Sequence, residues 1–149
     1  MTTPVTAAET TLQAGILVPG EAVRADALVL TAPISFWGGV NPQTGLIADV
    51  RHPQHGVSIS GRVLCLPGTI GSSSAAAVLL ELVYAGLAPA ALILHEPDAI
   101  LLLGLIVARE LGHTVPLALQ LDRVEFPRFA GRMLFIDADG HIAVEGDPA

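Results

Sequence analysis

Twice along this chain a short apolar run gives way to a turn and then to a helical pattern, and that repetition constrains the fold more than any other feature. Val63-Leu64-Cys65-Leu66 leads through residues 67–74 into the alanine-rich segment from Ala75 to Tyr84. Ala90-Ala91-Leu92-Ile93-Leu94 leads through His95-Glu96-Pro97-Asp98 into a segment that runs to Leu111. Continuous apolar runs bounded by turn residues read as strands covered on both faces. In the first helical segment Val78, Leu79, Leu82 and Val83 share one face, with Gly86 and Pro89 as its stop. Asp98 reads as the N-cap of the second helix, which Gly112 closes. A third run, Val115 to Leu121, reads as a strand with Pro116 near its start. Alternation of this kind implies right-handed crossovers and a partly parallel sheet.

Shorter strands flank this centre. Gly15 to Gly20 is a short apolar run with a Pro-Gly stop, and Asp26 to Thr31 reads as a strand ended by Pro33. Ser35-Phe36-Trp37-Gly38-Gly39-Val40-Asn41-Pro42-Gln43-Thr44-Gly45 is loop chemistry. Leu46 to Val50 reads as a further strand, and Arg51 to Gly56 as a polar turn whose His52 and His55 lie at the surface. Arg132 to Ile136, the turn Asp137-Ala138-Asp139-Gly140 and Ile142-Ala143-Val144 form a hairpin pattern. Residues 1 to 12 are Thr-rich and weakly patterned and are expected to be loosely ordered. The expected architecture is a single mixed α/β domain over residues 1–149, with the flanking strands as a second layer.

The turn between the first strand and its helix carries the strongest chemical signal. Pro67-Gly68-Thr69-Ile70-Gly71-Ser72-Ser73-Ser74 holds two glycines and three adjacent serines. In sheets of this type ligands meet the loops beyond the carboxyl ends of the strands, and this loop has that position. One of the serines is expected to start the helix as its cap. The first turn of a helix offers unpaired N–H groups and a partial positive charge to a carboxylate or phosphate. Capping alone and ligand binding both remain open on this pattern. The loop lacks the Gly-x-Ser-x-Gly elbow of hydrolases. It lacks the lysine of a P-loop too, since the sequence contains none. Phe36-Trp37-Gly38-Gly39 is the second unusual stretch. Trp37 reads as a core anchor there, with contact to a ligand loop or a partner as the alternative.

Composition narrows the partners. Of 149 residues 52% are hydrophobic and 14% charged. That is a very apolar surface for a soluble monomer, so a protein partner is expected to cover part of it. The longest apolar stretches, such as Ala99 to Ala108, are about half the ~20 residues needed to cross a bilayer. No charged and apolar leader pattern is seen near Met1, which favours the cytoplasm. A net charge of −7 argues against nucleic acid. The single cysteine, Cys65, reads as a small core residue. His52 and His55 do not make a helical pair across Pro53, and no metal site is assigned to this chain. Its only cations are seven arginines, of which Arg51 and Arg62 lie nearest in sequence to the candidate loops.

Ser35 to Gly45, His52-Pro53-x-x-Gly56, Gly61-Arg62-Val63-Leu64, Gly71-Ser72-Ser73-Ser74, Ala75 to Glu81, Ala88-Pro89-Ala90-Ala91 and Leu103 to Ala108 together resemble the small subunit, or swivel domain, of the aconitase X family. The resemblance covers roughly Gly15 to Val144. It implies a swivelling β/β/α domain and hydro-lyase chemistry completed by a larger catalytic subunit. Family substrates are small anionic hydroxy acids, cis-3-hydroxy-L-proline or mevalonate 5-phosphate. The resemblance also implies a serine base, matched here by Ser72, Ser73 and Ser74, with Ser73 as first choice. It implies an iron–sulfur cluster or iron on the partner, for which Cys65 alone could supply no site. Gly71, Phe36, Trp37, Gly38 and Gly39 are the expected substrate-binding positions. The arginine that follows the serines in ordinary aconitases is replaced here by Ala75, so its anchoring role does not carry over. The favoured reading is a small subunit acting on cis-3-hydroxy-L-proline. The alternatives are a mevalonate 5-phosphate enzyme and a swivel-type assembly module without chemistry.

Overall fold

A computed structural model describes residues 11–145. Its strands are β1 (Thr11–Gln13), β2 (Gly15–Val18), β3 (Val23–Val29), β4 (Val63–Leu66), β5 (Ala91–Leu94), β6 (Leu117–Gln120), β7 (Met133–Ile136) and β8 (His141–Val144). Its helices are the single turn α1 (Phe36–Gly39), α2 (Ala75–Ala85) and α3 (Ala99–Glu110), with a 3₁₀ segment at Arg123–Arg128. The strand order is β1-β8-β7-β3-β4-β5-β6-β2. β3, β4, β5 and β6 are parallel, and every other pairing is antiparallel.

Two stretches are shared between layers. Val23–Asp26 of β3 pairs with β7, and Ala27–Val29 pairs with β4. At the other end β1 and β2 are separated only by Ala14, so the run 11–18 serves β8 with its first half and β6 with its second. The pairings therefore run round as a ring, and the expected second layer is the same sheet folded back. Alternation sorts the side chains by layer. Val63, Cys65, Ile93, Leu117, Leu119, Leu134, Ile136 and Ile142 pack between the two β layers with Phe126 and Phe129. Leu64, Leu66, Leu92 and Leu94 face the other way, onto Leu79, Leu82, Leu101 and Leu105 of the helices. This β/β/α stack gives the three inner parallel strands the continuous apolar sequence that marked them.

Some expectations are corrected. Leu12 is not loosely ordered: Thr11–Gln13 forms β1 against β8. Residues 1–10 lie outside the described residues. Leu46 to Val50 is no strand. Leu46 and Ile47 make only isolated bridges, to Ser58 and Val40, because the loop crossing from β3 to β4 folds onto itself rather than joining the sheet. β3 begins at Val23, three residues before the expected start, since its polar first half pairs with β7. His52 is not at the surface but 6% exposed. Its Nε2 lies 3.0 Å from the Ala32 carbonyl, and its Nδ1 accepts the Gln54 N–H at 3.0 Å. With Gln54, which bonds Thr31 N and the Val29 carbonyl, it clamps the chain leaving β3.

Candidate functional site: the serine loop at the carboxyl ends of the parallel strands

The chain leaves β3 and β4 side by side. Ile34 and Thr69 form a parallel bridge. The Ile34 N–H donates to the Gly68 carbonyl at 3.4 Å, and the Ile70 N–H to the Ile34 carbonyl at 3.0 Å. This brings the Phe36 turn beside the serine loop. On the other flank the Thr69 hydroxyl donates to Asp98 Oδ2 at 2.7 Å, while Asp98 Oδ1 accepts the Leu101 N–H at 3.0 Å. Asp98 thus caps α3 as its sequence position implied, and ties the serine loop to it.

The three serines differ. Ser72 is half-buried, and its Oγ accepts the Ser74 N–H at 3.2 Å. Ser74 occupies the N-cap position of α2 at φ −81°, ψ −10° without a side-chain cap bond. The first-turn amides of Ala75 and Ala77 are taken instead by the Ser72 and Ser74 carbonyls. Ser74 thus starts α2 from the N-cap position, as expected of one of the serines, but no serine side chain bonds a first-turn amide. An N-cap Oγ reaches the following amides from an extended backbone, and Ser74 is helical. Ser73 is exposed, and its hydroxyl has no protein partner among the described residues. Gly71 precedes them with open space where a Cβ would project.

The aromatic pair is inverted relative to expectation. Phe36 is the core anchor at 1% exposure, so its side chain is not available to a substrate, whereas Trp37 is 61% exposed. The turn requires its glycines. Gly38 has φ +79°, and a Cβ on Gly39 would lie 2.9 Å from Ile34 Cγ1. Trp37 and Gly38 form one wall of a cavity of about 440 Å³, with Asn41 and Pro42, and Ala77 and Glu81 of α2 form the other.

One arginine close to the candidate loops in sequence lies away from them in space. Arg62 stands at the start of β4, at the far end of the sheet, and donates to the Ala27 carbonyl at 3.3 Å. Two residues at the carboxyl ends of β5 and β6 were missed. The His95 N–H donates to the Leu66 carbonyl at 3.1 Å, at the root of the serine loop. Its Nδ1 accepts the Arg123 N–H at 3.0 Å, which leaves Nε2 to carry the proton of the neutral ring. Arg123 shares a cavity of about 350 Å³ with Thr31, Pro67 and Phe126. The signal that could have found both is their place just past parallel strands.

Among the described residues one group has ligand atoms close enough to hold a cation: Asp137, Asp139 and His141, within 4.8 Å of one another. It lies in the β7–β8 turn, at the end of the sheet opposite the serine loop. The Asp137 carboxyl, drawn below the usual carboxylate range by the His141 and Asp139 backbone N–H groups, serves that turn. Cys65 is sealed between the β layers, where burial pushes its thiol up to about 12. It is a core residue, and no iron–sulfur cluster fits a chain with this one sealed thiol. No helix among the described residues is long and apolar enough to cross a membrane.

A two-layered β sheet backed by one layer of helices, with a serine loop at the carboxyl end of a central strand, is the build of a swivel domain. The family model for the aconitase X swivel domain matches residues 11–144, and the chain belongs to that family. It is 41% identical over 147 residues to a cis-3-hydroxy-L-proline dehydratase of Pseudomonas aeruginosa, covering 91% of this chain and 25% of that protein. It thus spans a quarter of that relative's length. It is 33% identical to a phosphomevalonate dehydratase small subunit of Thermococcus sibiricus, covering 85% of this chain and 92% of that one. In three dimensions it resembles the crystal structure of Thermococcus kodakaraensis aconitase X in its holo-form, with a TM-score of 0.79 and 26% identity. That match covers 91% of this chain and 98% of the other.

Proposed function

We propose that this chain is the swivel-domain part of an aconitase X-type hydro-lyase and that Ser73 is its base. The observation that carries the reading is the Ser73 hydroxyl, exposed and without a partner among the described residues, on a loop that α2 and Asp98 hold in place. Elimination of water from a hydroxy acid begins with removal of a proton α to the carboxylate. Ser73 Oγ would take that proton. A serine hydroxyl is a weak base, so its alkoxide needs nearby positive potential. The amino end of α2 supplies part of it through the helix dipole. Ser72 fixes the backbone next to Ser73 through its bond to the Ser74 N–H. Among the described residues none at the serine loop is assigned to take the leaving hydroxide, and the one cysteine is sealed in the core and cannot hold an iron–sulfur cluster. A larger subunit is therefore part of the reading.

The proposed substrate is cis-3-hydroxy-L-proline. The Pseudomonas relative bears that name, and the chain has no lysine for a phosphate. Mevalonate 5-phosphate is the second reading, favoured by the small-subunit relatives, of which this chain covers 92% in the Thermococcus sibiricus case. The test is to assemble the enzyme with the aconitase X large subunit of the same source and assay both compounds. Turnover of the hydroxyproline with little of the phosphate ester is expected, and the reverse preference overturns the choice of substrate.

A further inference from the structure

We propose that the Thr69–Asp98 hydrogen bond is a positioning strut that sets the serine loop for catalysis, with Thr69 as a positioning residue rather than a catalytic one. The inference rests on the reading of Ser73 as base. The loop has two moorings. One is the backbone bridge of Thr69 to Ile34, flanked by the bonds at Gly68 and Ile70. The other is the Thr69 side chain, whose hydroxyl reaches 2.7 Å to Asp98 Oδ2 across to the start of α3. Both partners are half-buried, where a hydrogen bond to a carboxylate is stronger than one in open water. Only residues 70–72 separate this mooring from Ser73, and they include Gly71, which has open space where a side chain would project and the wider backbone range of glycine. Without the strut, the backbone bridge alone restrains the approach to Ser73 from that side.

Asp98 divides its oxygens: Oδ1 caps α3 and Oδ2 holds Thr69. The two duties can be separated. Asp98→Ser keeps a good N-cap residue but is too short to reach Thr69. Thr69→Val removes the hydroxyl at nearly constant shape, and Thr69→Ser restores it. Misplacing a reacting group by about 1 Å costs on the order of 10²-fold, so a loosened loop reads in kcat.

The experiment measures kcat, KM and Tm in the assembled enzyme for Thr69→Val, Thr69→Ser, Asp98→Ser and the double variant T69V/D98S. Hydrogen–deuterium exchange over residues 68–74 is followed alongside. The expected result is a kcat loss of about 10- to 100-fold in Thr69→Val with KM within about twofold and loop exchange raised. Thr69→Ser should recover to within about threefold. The double variant should be no worse than the worse single one, because both remove the same bond. The strut is overturned if Thr69→Val keeps kcat within threefold, if its loop exchange is unchanged, or if the two losses multiply. Ser72→Ala, Ser73→Ala and Ser74→Ala run in parallel. If a serine variant loses kcat while Thr69→Val does not, only the strut falls. If all three serine variants keep kcat, the base reading falls and the strut's catalytic role with it.

Discussion

Ser73 differs from its two serine neighbours by its exposure. Ser72 spends its oxygen on the Ser74 N–H and Ser74 is half-buried at the N-cap of α2, while exposed Ser73 offers its hydroxyl to whatever meets the loop. Ser73→Ala therefore removes no bond the fold uses, and stability should change by no more than about 0.5 kcal/mol. Loss of a general base costs about 10²–10⁴-fold. Thermal melts and kcat of the assembled enzyme, measured together, separate the two readings: an unchanged kcat makes the loop a structural turn. At this scale the sequence was informative about types and poor about directions. Three serines after a Gly-x-x-Gly turn named the candidate loop, but which of them stands exposed depends on the backbone path into α2, which no pattern encodes. The same limit inverted Phe36 and Trp37. Both are large and apolar, and only the turn at Gly38, with φ +79°, decides which one points inward.

Among the elements, the helices were the most legible, because their caps are written in residue types. Asp98 starts α3 and the left-handed Gly86 ends α2, as read. The run Leu46–Val50 misled because its composition suits a strand, while pairing depends on an available neighbour and the β3–β4 crossover offers none. One element contact that sequence did not announce sets how closely α2 and α3 lie. Gly104 sits in the middle of α3, and a methyl group there would run into the Ala76 carbonyl and lie 3.2 Å from the Leu80 nitrogen. Alanine is favoured over glycine in a helix by about 1 kcal/mol. Overpacking against a backbone that cannot swing aside costs about 1–3 kcal/mol, so the clash should win. Gly104→Ala is expected to lower Tm by several degrees in a thermal melt; a variant as stable as the parent would show that the helices part without cost.

For the whole molecule, the exposed apolar residues match the high hydrophobic content. Trp37, Ile70, Ile100, Leu103 and Ile106 all stand at 45% exposure or more. On the proposed reading part of this surface awaits the large subunit. The purified chain alone should then give no dehydratase turnover and carry no iron, as measured by a product assay and by elemental analysis. Robust turnover by the isolated chain would refute that dependence. The ring of strand pairings was not legible, since joining both ends of the strand order through Ala14 depends on curvature rather than on any local signal. On the proposed reading its consequence concerns survival before assembly with the large subunit. A free sheet edge is a template for another chain, and an apolar protein with a long one would tend to aggregate. Here the run 11–18 closes the ring, and only half-strands of three or four residues keep an open side. A protein whose faces are sticky but whose rim is sealed can wait for a partner that recognises side chains, while offering almost no backbone to copies of itself.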